Sequence, residues 1–281
     1  MVERRPLWTA LTHVVLALGV LIVAFPIYLT LVASSHTAQA VLGRLPLWFG
    51  DRVLENYGHV LSVGMGSGSA PLSVMMTNSL VMAGAIAAGK IAISIVSAFA
   101  IVYFRFPLRM VFFWTIFLTL MLPVEVRIMP TFKVVADLGM LNSYLGLTVP
   151  LIASATATFL FRQFFLTVPD EYLEAARIDG AGPLRFFTHI LVPLSRTNIA
   201  ALFVILFIYG WNQYLWPLLV TTNEGMYTLV MGIKRMVPTG DATVAEWNLV
   251  MAAVTLAMLP PIVVVILMQR WFIRGLIETE K

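Results

Sequence analysis

The chain has 281 residues, of which 60% are hydrophobic and only 11% charged, and its mean hydropathy is +0.91. A soluble domain carries about 25% charged residues to present a hydrated surface, so a soluble globule, a disordered chain, a collagen-like repeat and a nucleic-acid-binding protein are excluded together. The net charge of +4 comes from 18 Lys and Arg against 14 Asp and Glu; membrane proteins collect cations in cytoplasmic loops for topological reasons, so this excess implies no nucleic-acid partner. With no cysteine in the chain, a disulfide frame, a thiolate metal site, an iron–sulfur cluster and a Cys nucleophile are also excluded. What remains is an all-α, polytopic membrane protein in contact with lipid.

A helix needs about 20 apolar residues to cross roughly 30 Å of hydrocarbon, and six stretches qualify. The first spans 11–32. Arg4 and Arg5 precede it and Ala38, Gln39 and Ala40 follow, as at a signal cleavage site, but a signal core holds only about 7 to 15 apolar residues. An uncleaved span is expected. The segment 33–79 is a long outer connection in which Gly64, Gly66 and Gly68 precede Pro71. No further glycine, strand or acid completes a dinucleotide fingerprint there, and the stretch is expected to be loop.

The second span, 80–102, carries Lys90 near its middle, with Gly84 and Gly89 positioned for close helix approach. A mid-bilayer charge costs about 2.5–3.5 kcal/mol on insertion scales and marks a functional position by default. Lys90 either meets an anionic substrate as a point charge or serves a structural partner. The third span, 110–128, is interrupted by Pro123 and ends on Glu125 and Arg127. Short, proline-broken spans mark substrate paths in transporters, and Arg127 suits paired hydrogen bonds to phosphate. A local pair anchoring the interface is the alternative for these two charges.

The fourth span, 145–164, leads into an inner segment, 165–198, that is long enough to need a reason. Pro169, Asp170, Glu171 and Glu174 favour a helix start and Gly180 a left-handed stop, which predicts a helix over 170–179. Ala175 and Ala176 give it a small face. After Gly182 and Pro183, the residues Leu184, Phe186, Phe187, Ile190 and Leu191 predict a second short helix before Pro193. Two such helices form a knob that fits a partner's groove. The fifth span, 199–220, contains Trp211, Asn212, Gln213, Tyr214 and Trp216. The amides are candidates for substrate hydroxyls, and helix packing is expected for the tryptophans. The sixth span is 249–268.

With the N-terminus inside, eleven cations lie on the inner side: Arg4, Arg5, Arg105, Arg109, Arg162, Arg177, Arg185, Arg196, Arg270, Arg274 and Lys281. Six lie outside (Arg44, Arg52, Arg127, Lys133, Lys234 and Arg235), and Lys90 completes the 18. Both termini are therefore expected in the cytoplasm. No G-x4-G-K-[ST] loop occurs, so the chain is not expected to hydrolyse ATP. His13, His36, His59 and His189 lack the H-E-x-x-H spacing of a zinc protease. No span offers a serine nucleophile with an evident base, so neither a catalytic nor a metal site is expected.

Glu174-Ala175-Ala176, three residues, Gly180, nine residues, then Ile190-Leu191-Val192-Pro193 resembles the EAA loop of ABC importer permeases, E-A-A-x3-G-x9-I-x-L-P. Val192 replaces the pattern's leucine, a mild apolar change. Ser97 to Ala100 with Arg105-Phe106-Pro107, and Trp211 to Leu218, resemble the carbohydrate-type branch. The stretches Met121 to Arg127 and Ala153 to Phe165 are similar to permeases of glycerol-3-phosphate importers.

This resemblance covers the whole chain as one transmembrane domain, 1–281, with the coupling loop 165–198 inside it. It implies a non-catalytic permease subunit in a bacterial inner membrane. Its implied partners are a second permease subunit, two ATP-binding subunits that hold ATP and magnesium, and an extracytoplasmic solute-binding protein; no cofactor is implied in this chain. Glu174, Ala175, Ala176, Asp179, Gly180 and Pro193 would carry ATPase coupling, with Glu174 for contact and Gly180 for the turn. The substrate pathway would include Lys90, Glu125, Arg127, Asn212 and Gln213. The implied cargo is glycerol-3-phosphate or a glycerophosphodiester. The alternatives are a neutral-sugar permease and an intramembrane phospholipid-modifying enzyme; a channel or scaffold would leave the inner loop unexplained.

Overall fold

The computed structural model describes residues 6–63, 70–119, 122–237 and 246–278, with the side chains of Pro6, Val124, Glu125 and 270–278 outside that description. The Gly64, Gly66 and Gly68 stretch, Arg4, Arg5 and Lys281 fall outside the described residues. Among the described residues every regular element is helical.

Among the described residues, three helices are long and apolar enough to cross a membrane: Leu7–Ala33, Leu72–Tyr103 and Trp247–Gln269. Two bent helix pairs are apolar enough only when taken together, Tyr144–Leu151 with Ala155–Phe165 at 48° and Pro183–Leu194 with Arg196–Trp211 at 70°, each a broken span or a re-entrant loop. The short apolar helix Arg109–Leu118 occupies the position of the remaining expected span.

The differences from the sequence expectations lie at the breaks. The span expected over 145–164 bends where Pro150 lies in a short 3-10 turn, Val149–Leu151, and Ser154 caps the following helix, its hydroxyl accepting from the Ala157 N–H at 3.2 Å. The one expected over 110–128 ends at Leu118, and a new helix, Val124–Asp137, starts behind Pro123. Arg127 therefore sits in the first turn of a separate helix. The span expected over 199–220 stops at Trp211, and a second helix, Leu215–Val220, begins after Tyr214. Pro217 has no N–H to bond the carbonyl four residues back, so a continuous helix fails there, whereas the first turn of a new one tolerates proline.

The chain divides into two compact units. The first comprises residues 1–73 and 232–259. In it Asn56 is a buried hub: its amide donates to the Ser34 and His36 carbonyls at 2.8 Å each and its oxygen accepts from Asn248 at 3.1 Å. The second comprises residues 74–231 and 260–281. One of its cores gathers Met82, Ile86, Val135, Leu147, Trp216 and Val220. Both Trp211 and Trp216 are buried, and the Trp216 indole N–H donates to the Gly146 carbonyl at 3.1 Å, so the tryptophans serve helix packing as expected.

Candidate functional site

The second unit contains a two-lobed cavity. The smaller lobe, about 120 Å³, is bounded by Thr131, Gln213 and Trp216 among others, and the larger, about 670 Å³, by Ser97, Thr119, Thr158 and several aliphatic side chains. Lys90, Arg127, Ala153 and Tyr209 line both lobes. The wall thus carries two cations, and among its described residues there is no carboxylate.

The helix Leu72–Tyr103 brings Lys90 to this wall. Its side chain is only 8% exposed, and the ammonium lies over the Tyr209 ring at 4.0 Å from the centroid. Close helix approach holds the geometry. A Cβ on Gly89 would come within 2.7 Å of Ile152, and one on Gly210 within 2.9 Å of the Ala83 backbone. Gly84, expected to act like Gly89, has nothing within 4 Å.

The structure brings Lys90, Arg127 and Gln213 together on one cavity. Gln213 also donates to the Tyr209 carbonyl at 3.3 Å. Asn212 does not join them: it ends the Arg196–Trp211 helix and is exposed. Glu125 lies in the first turn of the Val124–Asp137 helix, and its side chain is outside the described residues. Tyr209 and Thr131 were not foreseen as wall residues. The i,i+4 spacing of Tyr209 and Gln213 was a signal that could have found Tyr209.

Such a wall favours an anion. Charge-assisted hydrogen bonds are roughly twice as strong as neutral ones, and a buried ammonium with no carboxylate among the described wall residues keeps its field for a guest. The amide of Gln213 and the hydroxyls of Thr131, Ser97 and Thr119 suit a polyol.

The inner loop forms a second site. Its helix is Glu171–Ile178, with Glu171 and Glu174 in the first turn and Arg177 in the last, each favourable to the helix dipole. Gly180 takes the left-handed conformation at φ +71°. Its N–H donates to the Arg177 carbonyl at 3.0 Å and that of Ala181 to the Ala176 carbonyl at 2.8 Å, the paired bonds of a Schellman stop. Glu174, Ala175, Asp179 and Gly180 are exposed. Ala176, expected to share a docking face with Ala175, points into its own chain and is buried, because positions 175 and 176 lie about 100° apart around the helix. Sequence reasoning did not single out Ile178, which is 85% exposed, and it placed Leu184 on an apolar face of which Phe186 and Leu191 are buried while Leu184 itself is 76% exposed.

The second predicted helix of the loop runs from Pro183 to Leu194, with a π-helical segment over Phe187–Leu191, and Pro193 lies half-buried near its end. Among the described residues no group of three or more His, Asp or Glu is placed to hold a metal ion.

Residues 90–278 match the family described as the binding-protein-dependent transport system inner membrane component. The chain is 60% identical over 283 residues to the sn-glycerol-3-phosphate transport system permease protein UgpE of Brucella melitensis, covering 100% of both chains. It is 59% identical to the protein of that name from Rhizobium meliloti and 58% identical to that of Yersinia pestis, again with 100% of both chains covered. Among solved structures, the crystal structure of a bacterial ABC transporter involved in the import of the acidic polysaccharide alginate shares the fold. The TM-score is 0.82 at 21% identity, covering 97% of this chain and 99% of that one.

Proposed function

This chain belongs to the family of binding-protein-dependent transport system inner membrane components, and from that premise we propose that it forms part of the path by which sn-glycerol-3-phosphate crosses a bacterial inner membrane. The observation that carries this reading is the wall that Lys90 and Arg127 share with Gln213, cationic and hydrogen-bonding at once, on a cavity of the second unit. The names of relatives about 60% identical over their full length support the same cargo. Its role is transport. ATP, with magnesium, is bound and hydrolysed in two partner subunits, and a second permease subunit and an extracytoplasmic solute-binding protein complete the assembly. Both termini lie in the cytoplasm.

In this mechanism Lys90 and Arg127 offset the charge of the phosphate as it leaves water, while Gln213 and neighbouring hydroxyls bond the glycerol. Glu125 belongs to the pathway by its place beside Arg127 in the chain, whereas Asn212, exposed and off the cavity wall, has no part in it. The loop around Glu174, Ala175, Ala176, Asp179, Gly180 and Pro193 docks on an ATP-binding subunit. Exposed Ile178 and Leu184 provide apolar contact, and Glu174 provides charge. Nucleotide binding outside this chain then biases the cavity's access between the two sides.

Proteoliposomes holding the full assembly and its loaded solute-binding protein test the proposal. ATP-dependent accumulation of radiolabelled sn-glycerol-3-phosphate is expected, with little of a neutral disaccharide. Uptake of the disaccharide alone overturns the cargo assignment.

A further inference from the structure

A buried lysine needs a partner, and the choice of partner decides what the lysine can still do. A carboxylate at ion-pair distance would cancel its charge. An aromatic face attracts the ammonium through the ring quadrupole and leaves the net charge in place. Lys90 has the second arrangement: its ammonium sits 4.0 Å from the centre of the Tyr209 ring, and both residues line both lobes of the cavity. The contact is built by backbone packing. Gly210, next in chain to Tyr209, lets the Arg196–Trp211 helix approach so closely that an added Cβ would lie 2.9 Å from Ala83 Cα. Gly89, next to Lys90, is closed by the side chain of Ile152. Gly210 thus sets the close spacing of the two helices that carry the ring and the ammonium.

We infer that Tyr209 is a positioning residue for anion selection: its ring holds the Lys90 ammonium at the junction of the two lobes without neutralising it, so that the full charge faces a phosphate. This inference rests on the reading of the cavity as the phosphate's path. A lysine ammonium rides on a flexible four-carbon stem, so without the ring it would spread over many positions and lose its grip on the anion. The Tyr209 hydroxyl has no part in this role. What matters is the π density of the ring.

The test is equilibrium binding of radiolabelled sn-glycerol-3-phosphate to the assembled transporter in lipid nanodiscs, in the absence of solute-binding protein, at low and high salt. Tyr209→Leu is expected to weaken binding about tenfold, and Tyr209→Phe to restore it to within about twofold. Phenylalanines carrying one, two and three ring fluorines at position 209 keep the shape while withdrawing π density, and are expected to weaken binding stepwise. A purely structural aromatic would not produce that series, and the series reads out even if Tyr209→Leu fails to assemble. Lys90→Met separates the two ideas. If it leaves binding unchanged, or the parent transporter binds no ligand, the cavity reading fails and takes this inference with it. If Lys90→Met weakens binding but the fluorinated series is flat, or Tyr209→Phe is as impaired as Tyr209→Leu, the positioning role alone is overturned.

Discussion

Gly210→Ala is the sharpest probe of how the cavity wall is held. The added methyl would stand 2.9 Å from Ala83 Cα and 3.4 Å from its Cβ and carbonyl oxygen. Carbon–carbon contact is optimal at about 3.5–4.0 Å, so the helices must part by roughly 0.5–1 Å at this point, and the obstacle is backbone that cannot rotate away. Overpacking of this kind costs about 1–3 kcal/mol. Gly84→Ala is the matched control: the same change in the partner helix, where a Cβ meets nothing within 4 Å, and where replacing glycine in a helix gains up to about 1 kcal/mol. Gly89→Ala belongs between them, because its obstacle at 2.7 Å is the Ile152 side chain. Unfolding of the purified protein in mixed micelles titrated with dodecyl sulfate, followed by tryptophan fluorescence, measures the three together. Gly210→Ala is expected to be the least stable, by about 2 kcal/mol or more relative to Gly84→Ala. Equal stability of these two variants would refute the close-approach argument.

Glu174→Lys reverses a charge on the exposed face of the inner-loop helix and is expected to cut ATP-driven uptake and substrate-stimulated ATPase at least tenfold, with solute-binding-protein affinity intact; unchanged coupling would remove the docking role. Lys90→Met should depress uptake of sn-glycerol-3-phosphate far more than that of any neutral substrate, and an equal loss for both would make the lysine structural. Asn142 sits at φ +53°, accepts from the Thr222 and Asn223 N–H groups at 2.7 and 2.8 Å and donates to the Thr222 hydroxyl at 2.9 Å. At about 1 kcal/mol for each of these three hydrogen bonds and 1–2 kcal/mol for left-handed strain, Asn142→Ala is expected to destabilise by about 4–5 kcal/mol. Asn142→Gly should recover only the strain share, and equal unfolding midpoints for the two variants would contradict that division.

Hydropathy and local chemistry made the helices and the inner loop legible. Pro169 to Gly180 carries its own start and stop signals, and the helix found at Glu171–Ile178 agrees with the one expected over 170–179. The span breaks were harder to see, since an apolar run such as 199–220 looks continuous to a hydropathy window. Pro217, Pro123 and Pro150 were the visible signs of interruption, and only the structure shows which of them ends a helix. Lys90 and Arg127 stood out because charge is scarce in such a chain, but their shared cavity depends on helix rotation and on the break before Val124. Neither is encoded in local sequence. Gly210 and Gly84 likewise look alike in sequence and differ only in what faces them.

The most direct measurement is a cryo-electron microscopy map of the assembled transporter, trapped with its loaded solute-binding protein and a non-hydrolysable nucleotide. Phosphate density between Lys90 and Arg127, within about 4 Å of each as an ion pair requires, is the predicted result. Substrate density elsewhere in the assembly, with both cations engaged by protein carboxylates, would contradict it.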